Sequence, residues 1–449
     1  MVSADNLNFD VLELIFTFLS GNDLPSLALV SKSFLAAVTP RLYRTISYRF
    51  RQSKGYNVGN PVSPFSVIVT HSHLAAHVRE IELRSVPTLK NTMHPGFIRD
   101  CKETLRLCRN LKKFRCTIQN VLPVFLPVLE EKKSLDTLRV YANLTTAQAG
   151  MLAKITGVRT LSLEFASWNV VDVLPAWTKN LSNLTSLTLY MINDLHESIY
   201  ETIVGNLPHI TGLHVVGCPK IDHTTVLRNA SKTPLLQSLS FTTTESTKSL
   251  DLPPPHLPHL KHLALDTKYS MQPSPSPAIL SALLTHLKYA MPNLASFAMK
   301  MPERKISVGD AFIDQLLLGH KHSLRRLAFL DCAVNRESIA KICEQCIHLE
   351  RLDVAVPIKD ISAFSVNIAK SKTLHTIVDV QNHVDHGIRP TLTQVDANLM
   401  MAYCPSLKAI VTGGRIWTGR GAGAGDNLSV RLEKRPSHRQ GALWFIPRE

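Results

Sequence analysis

The chain has 449 residues, of which 45% are hydrophobic and 19% are charged, a composition that excludes a disordered protein. The formal net charge is +15, but it is diluted along the chain: residues 1–50 carry four basic and four acidic groups. Such a mild bias does not indicate a nucleic-acid-binding protein, and no apolar run reaches the roughly 20 residues of a membrane helix.

The run Val11–Leu19 looks briefly like the core of a signal peptide, but Asp5 and Asp10 precede it and Glu13 lies inside it. The eight cysteines show no paired framework. Together these features predict reduced thiols in a cytoplasmic or nuclear protein, or one present in both compartments.

The first 50 residues predict three short amphipathic helices. Apolar residues recur at helical spacing over Val11–Leu19, and Gly21-Asn22-Asp23 then interrupts the pattern. Asp23 can cap a second helix. A third helix is expected over Lys32–Val38, ending at Pro40.

This stretch resembles an F-box. The resemblance rests on an opening Leu, an apolar helix containing Ile15-Phe16, an Asp-Leu helix start, and the run Val30–Phe34. Asn8 stands where the family usually has Pro, and Phe34 where Trp is often found. The next segment, Pro40–Ile46, is similar to an extension common in fungal members.

The resemblance implies docking on the SKP adaptor of a cullin-RING ubiquitin ligase through apolar anchors that enter a groove of the partner. The residues at the matching contact and packing positions are Leu7, Leu12, Ile15, Leu19, Leu24, Leu27 and Val30. The alternative is that these helices merely cap the open end of the repeat array that follows.

A repeated motif, apolar-x-x-apolar-x-apolar, organises most of the remaining chain. Its thirteen copies, 23 to 34 residues apart, begin at Val78, Leu111, Leu135, Val158, Leu184, Ile210, Leu236, Leu260, Leu294, Leu324, Leu349, Leu374 and Leu407. The last two copies are weaker, because Asp379 and Thr412 fill their third apolar position. This spacing is typical of leucine-rich repeats.

Helix-compatible segments lie between the motifs, among them Ala278–Met291, Asn335–Ile347 and Gln394–Tyr403. One strand and one helix per repeat predict an α/β fold: a right-handed solenoid, or horseshoe, with a concave parallel sheet and a helical convex side. The predicted domains are an F-box-like module at 1–50, a solenoid of about 13 repeats at 51–412, and a Gly-rich loop with a C-terminal cap at 413–449.

The residues that flank the central apolar position of each motif should point to the concave surface. The candidate target-binding residues on or beside these positions are Arg84, Lys113, Arg115, Arg139, Tyr141, Tyr190, Arg326 and Arg351. Clustered Arg and Lys side chains suit carboxylates and phosphates, so the target is expected to present an acidic or phosphorylated segment. The alternative is that they are ordinary solvated side chains.

No catalytic motif is present, so we expect no catalytic residue, no metal and no cofactor. The cluster His383-Val384-Asp385-His386 and the series His256, His259 and His262 lack identifiable further ligands. Cys343 and Cys346 have no second pair and are expected to be buried on a helix. The stretch Gly413–Gly425 is expected to be a flexible loop.

The leading hypothesis is therefore a non-catalytic substrate receptor, in which the N-terminal module binds the SKP adaptor and the repeats capture a target protein. The alternative is a leucine-rich-repeat scaffold with no role in ubiquitin transfer. A GTPase-activating protein on a leucine-rich horseshoe is disfavoured, because such proteins usually have an acidic tail and residues 413–449 carry seven basic and three acidic groups.

Overall fold

The computed structural model of the chain describes residues 8–19, 23–49, 63–267, 274–301, 307–380, 391–420, 429–434 and 443–447. The chain divides into two compact units, Met1–Asp194 and Leu195–Glu449. The division into domains at residues 50 and 412 stays a prediction.

Three helices open the first unit: α1 (Phe9–Phe16), α2 (Asp23–Ala28) and α3 (Lys32–Leu42). Side chains cap two of them, since Asn8 accepts a hydrogen bond from the Asp10 N–H (3.4 Å) and Ser31 accepts one from the Phe34 N–H (3.2 Å). The helices share a small core formed by Leu12, Phe16, Ala37 and Val38.

The end predicted for the third helix at Pro40 was wrong, because α3 continues through Pro40 to Leu42. Proline has no N–H and so removes one backbone hydrogen bond, which costs least in the last turn of a helix. The next bond is intact, since the Tyr43 N–H donates to the Thr39 carbonyl over 3.1 Å.

The strands of the first unit are β1 (Thr45–Tyr48), β2 (Glu80–Leu83), β3 (Thr88–Leu89), β4 (Thr92–Met93), β5 (Lys113–Cys116), β6 (Thr137–Tyr141), β7 (Thr160–Glu164) and β8 (Ser186–Tyr190). The pair β3 and β4 is a short antiparallel hairpin. The other six form a parallel sheet in the order β1-β2-β5-β6-β7-β8.

Each predicted motif in this unit has its strand where expected, beginning two residues after the first apolar position. The central apolar residues pair directly across the sheet, from Ile81 to Phe114 and onward to Leu138. Strand β1 was missed: Ile46 and Tyr48 occupy the same register as Ile81 and Leu83, so the segment after α3 already belongs to the sheet.

The helices that follow in this unit are α4 (Pro64–Thr70), α5 (Pro95–Leu107), α6 (Leu126–Glu130), α7 (Thr146–Leu152) and α8 (Trp168–Lys179), with 3₁₀ helices at Ser72–His77 and Leu122–Val124. They bury apolar faces against the strands. Tyr48 of β1, Phe65 of α4 and Phe97 of α5 pack with ring centroids 5.0 to 5.6 Å apart.

The strands of the second unit are β9 (Gly212–Val216), β10 (Ser238–Thr242), β11 (His262–Asp266), β12 (Ser296–Lys300), β13 (Ser307–Val308), β14 (Arg326–Leu330), β15 (Ala333–Val334), β16 (Arg351–Val354), β17 (Thr376–Asp379), β18 (Ala409–Thr412), β19 (Arg415–Arg420) and β20 (Ser429–Lys434). A parallel sheet runs in the order β9-β10-β11-β12-β14-β16-β17-β18. A separate parallel pair joins β13 and β15.

The helices of this unit are α9 (Glu197–Gly205), α10 (His223–Ala230), α11 (Pro277–Leu287), α12 (Asp310–His320), α13 (Arg336–Gln345), α14 (Ile361–Ile368) and α15 (Gln394–Tyr403), with a 3₁₀ helix at Ile358–Asp360. The three helix-compatible segments of this region are confirmed as α11, α13 and α15, with ends that differ by up to four residues.

The sheet of the second unit ends in two antiparallel strands, β19 and β20, after β18. A turn at Gly413, whose φ is +54°, reverses the chain. The predicted loop Gly413–Gly425 is therefore wrong over residues 415–420, where the backbone pairs with β18 and Trp417 is buried. Residues 421–425 lie outside the described residues.

Candidate functional site

The N-terminal helices expose many large apolar side chains. Leu12 and Phe16 face α3, as expected for residues four apart on a helix, and other apolar residues of α1 therefore remain on its outer side. The exposed set on the module is Phe9, Val11, Leu14, Ile15, Phe18, Leu29, Val30 and Leu35. So many exposed apolar side chains on one small module are typical of a protein-interaction surface.

The residues predicted to contact an adaptor divide into two groups. Ile15 and Val30 are 45% and 60% exposed and are accessible to a partner. Leu12 is buried in the module's own core, with Leu19, Leu24 and Leu27 packed against it. Leu7 lies outside the described residues. Adaptor binding by these residues stays a prediction, with Leu12 placed to support the module rather than to touch a partner.

Sequence reasoning missed six members of this surface, of which Phe18 and Leu29 are the most exposed at 84% and 88%. For the three missed residues that lie on α1, Phe9, Val11 and Leu14, the signal was available in the sequence. Helix α1 has apolar residues on more than one face, and only one face can be covered by two short neighbouring helices.

The basic side chains predicted on the first unit's strands lie close together, and each has an acidic partner. Glu82 binds both Arg84 (2.6 Å) and Arg115 (2.7 Å). Two further pairs join Lys113 to Glu80 over 3.0 Å and Arg139 to Glu164 over 2.5 Å. Four cations thus share three carboxylates, so an acidic target would compete with internal partners.

The acidic partners follow from strand register. Glu80 pairs with Lys113 across β2 and β5, and Glu82 lies in the same row as Arg115 and Arg139. Burial and the neighbouring Arg139 lower the pKa of Arg115, although the nearby carboxylates oppose this effect.

Three aromatic rings line the ends of β6, β7 and β8. Tyr141 stacks on Phe165 with centroids 5.3 Å apart, and Phe165 meets Tyr190 edge-on at 6.1 Å. Tyr141 and Tyr190 were candidate target-binding residues, whereas Phe165 was not recognised. Phe165 has φ +52°, a strained conformation for an aromatic residue that holds its ring between the two tyrosines.

On the second unit, Arg326 and Arg351 occupy the same row of β14 and β16. Arg351 makes two bonds to Asp353, from Nε over 2.7 Å and from Nη2 over 2.8 Å. Both arginines line a cavity of about 610 Å³ on the strand face. The C-terminal segment, which we define as Leu443–Pro447, forms part of its wall.

All eight cysteines are free and buried, so the expected burial of Cys343 and Cys346 is confirmed, although Cys346 lies one residue beyond the end of α13. Burial raises the pKa of Cys346 to about 12. No group of three or more His, Cys, Asp or Glu side chains that could hold a metal occurs among the described residues. The cluster His383–His386 lies outside them.

None of the helices among the described residues is long and apolar enough to cross a membrane.

No curated protein matches the chain. A solved structure, the crystal structure of the Rad7 and Elc1 complex in yeast, is similar at 15% identity and a TM-score of 0.46, covering 87% of this chain and 94% of that one. The F-box domain family model matches residues 5–42, and the chain therefore carries an F-box domain at its N-terminal end.

Proposed function

We propose that the chain is a non-catalytic substrate receptor of an SKP-cullin-F-box type ubiquitin ligase. The observation that carries this proposal is the F-box domain at residues 5–42, together with the apolar side chains that it leaves exposed. An F-box domain implies a Skp1-like adaptor as the partner. Apolar anchors such as Ile15 would enter a groove of that adaptor.

We further propose that the strand–helix repeats are leucine-rich repeats and form a solenoid whose strand face captures a target protein. The support is the motif, whose central apolar residues pair in register from strand to strand within each unit. This function requires no catalytic residue and would operate in the cytoplasm, the nucleus or both. An acidic or phosphorylated target remains the expectation for the basic strands of the first unit.

The test of the adaptor contact is Ile15→Asp in the full chain. Ile15 is 45% exposed, so the carboxylate stays hydrated in the free protein and folding should be unaffected. Docking would bury an unpaired charge at an apolar contact, which costs several kcal/mol. We expect at least a hundredfold loss of affinity for the SKP adaptor, measured by titration calorimetry and co-purification.

The matched control is Leu318→Asp, at a 67% exposed leucine of α12 in the second unit. It should bind the adaptor as the wild type does, and both variants should keep the wild-type melting temperature. Undiminished adaptor binding by folded Ile15→Asp would contradict the proposed contact. If the wild-type chain itself did not bind the adaptor, the scaffold without a ubiquitin role would become the better account.

A further inference from the structure

The C-terminal segment is seated on the strand face of the second unit. Phe445 is fully buried there, although it lies far along the chain from the strands that it touches. Its carbonyl oxygen accepts two hydrogen bonds, from Ser240 Oγ over 2.8 Å and from His262 Nε2 over 3.0 Å. Both lone pairs of one peptide carbonyl are therefore used by side chains of β10 and β11.

Four polar side chains on consecutive strands form the site that holds this carbonyl, here termed the carbonyl clamp: His214, Ser240, His262 and Ser296. Ser240 donates its only proton to Phe445, so His214 Nδ1, 2.8 Å away, must donate to Ser240. His262 donates from Nε2, and its Nδ1 then accepts from Ser296 Oγ at 3.0 Å. One series of hydrogen bonds runs from His214 through Ser240, and the other runs from Ser296 through His262. Both series end at the Phe445 carbonyl oxygen.

The clamp is uncharged near neutral pH. Burial lowers the pKa of His214 to about 3, helped by His262, and burial lowers the pKa of His262 to about 4. A buried array of neutral donors fits a peptide carbonyl, which is itself neutral and needs only two donors. The four clamp residues themselves offer no cationic partner to a phosphate or carboxylate, and the neighbouring charge is that of Arg326, which further lowers the pKa of His262.

The surroundings of the clamp select the side chains of the segment. The Phe445 ring lies 6.1 Å from the His214 ring and meets the Trp444 ring edge-on. Lys300 Nζ is 5.8 Å from the centre of the Trp444 ring. Small residues in the same rows of the sheet, Gly212, Ala264 and Ala298, leave room for a peptide backbone to approach.

The segment fills only part of this face. The cavity of about 610 Å³ continues from Trp444, Ile446 and Pro447 along the strands to Arg351 and Val378. A peptide longer than the segment could therefore extend beyond it over β14, β16 and β17. The size is that of an ordinary ligand-binding cleft.

We propose that the strand face of the second unit is a peptide-binding site for an apolar–aromatic segment, and that Leu443–Pro447 is an internal competitor for that site. The external ligand is a target segment with a bulky aromatic residue whose carbonyl enters the clamp. This rests on the proposed function only in assigning that ligand to a captured target. Peptide binding itself needs neither the F-box domain nor its adaptor.

Covalent attachment determines how strongly the segment competes. A tethered ligand acts at an effective concentration of about millimolar, so an external peptide of the same sequence must overcome that advantage. A variant that weakens the resident segment should consequently bind the free peptide more tightly than the wild type. A purely structural C-terminus would show the opposite behaviour, with lost stability and no gain of binding.

The test uses a fluorescent peptide with the sequence of residues 441–449, GALWFIPRE, titrated into full-length chains. We expect Phe445→Ala to bind it at least about tenfold more tightly than the wild type, because the shortened side chain releases the clamp. Adding Ser240→Ala and His262→Ala to that variant should remove the gain. Trp168→Ala, at an exposed aromatic residue of α8 in the first unit, is the matched control and should leave peptide affinity unchanged.

A folded Phe445→Ala chain that binds the peptide no better than the wild type would overturn the proposal. If that variant does not fold, the wild-type chain is tested with about 1 mM peptide carrying a benzophenone in place of the phenylalanine. Photo-crosslinks to β9, β10 and β11 would support the site, and their absence would overturn it. Ile15→Asp should bind the peptide as the wild type does, which separates this result from failure of the adaptor contact.

Discussion

The strand faces of the two units carry chemically different side chains on the same kind of parallel sheet. On β2, β5, β6 and β7 of the first unit, the ion pairs Glu82–Arg115 and Glu164–Arg139 bridge neighbouring strands. On β9 to β12 of the second unit, the equivalent rows carry small or neutral polar residues, and the chain's own Phe445 contacts those of β9, β10 and β11. Repeats with the same backbone geometry can thus present either a set of ion pairs between strands or an uncharged surface that holds a peptide segment.

The comparison shows what a row of exposed positions in a repeat protein can do. The buried side of each motif must stay apolar, because it forms the core shared by successive repeats. The opposite side is free to vary, and here it varies by region rather than at random. Charge in one region and neutral hydrogen bonds in the other should therefore contribute to stability and binding to different degrees.

The largest effect is expected for Glu164→Gln in the first unit. Its side chain is 8% exposed and bonds Arg139, which is 15% exposed. Replacing the carboxylate by a neutral amide removes the negative charge that faces a largely buried guanidinium, so we expect a loss of about 2–4 kcal/mol in the free energy of unfolding. Urea unfolding measures it. The control Glu103→Gln breaks an exposed pair with Arg106 and should cost less than about 1 kcal/mol. Equal losses would mean that burial does not distinguish the two pairs.

A smaller effect is expected for Ser240→Ala in the second unit. The change removes one of two donors to the Phe445 carbonyl and leaves His214 Nδ1–H without its acceptor. We expect a loss of about 1–2 kcal/mol in the free energy of unfolding, again by urea titration. Thr202→Ala breaks an exposed bond within α9 and should stay within about 0.5 kcal/mol of the wild type. A neutral Ser240→Ala would argue that the segment is not held by the clamp.

The smallest effect is expected for capture of an acidic target. Arg115→Gln leaves Glu82 paired with Arg84, so the fold should be undisturbed. A phosphoserine peptide should bind the variant a few-fold more weakly at low ionic strength, and the difference should vanish in about 1 M salt, where screening acts within 3 Å. Fluorescence anisotropy measures both. Identical binding at low salt would assign these cations to the ion-pair lattice alone.

The sequence predicted the repeating strands well, because a motif with apolar residues at three fixed positions constrains both register and burial. Ile81, Phe114 and Leu138 paired as their positions required. Strand β1 escaped notice, since Pro40–Ile46 had been assigned to the module that precedes the sheet. The acidic partners Glu80, Glu82 and Glu164 were also missed, because the prediction took the basic residues of the first unit's strands without the acidic residues in neighbouring positions.

The C-terminal contact could not be read from any local pattern. Phe445 meets Ser240 and His262, which are 205 and 183 residues away in the chain. An apolar run near a terminus is compatible with many packing sites, and nothing in its spacing selects one. His262 was considered only as one of three histidines that lack identifiable further metal ligands, whereas it is a buried donor with a defined acceptor.

The junction between the F-box domain and the sheet has a mechanical consequence. Only Tyr43 and Arg44 separate α3 from β1, and the Arg44 carbonyl accepts bonds from the N–H groups of Arg79 (2.8 Å) and Glu80 (3.0 Å). The chain therefore passes from the last helix of the domain directly into the hydrogen-bonded sheet, with no flexible linker between them. In a ligase receptor, such a junction would be a rigid connection. The distance from the adaptor to the first strands would then be fixed by the folded structure and would not vary through linker motion.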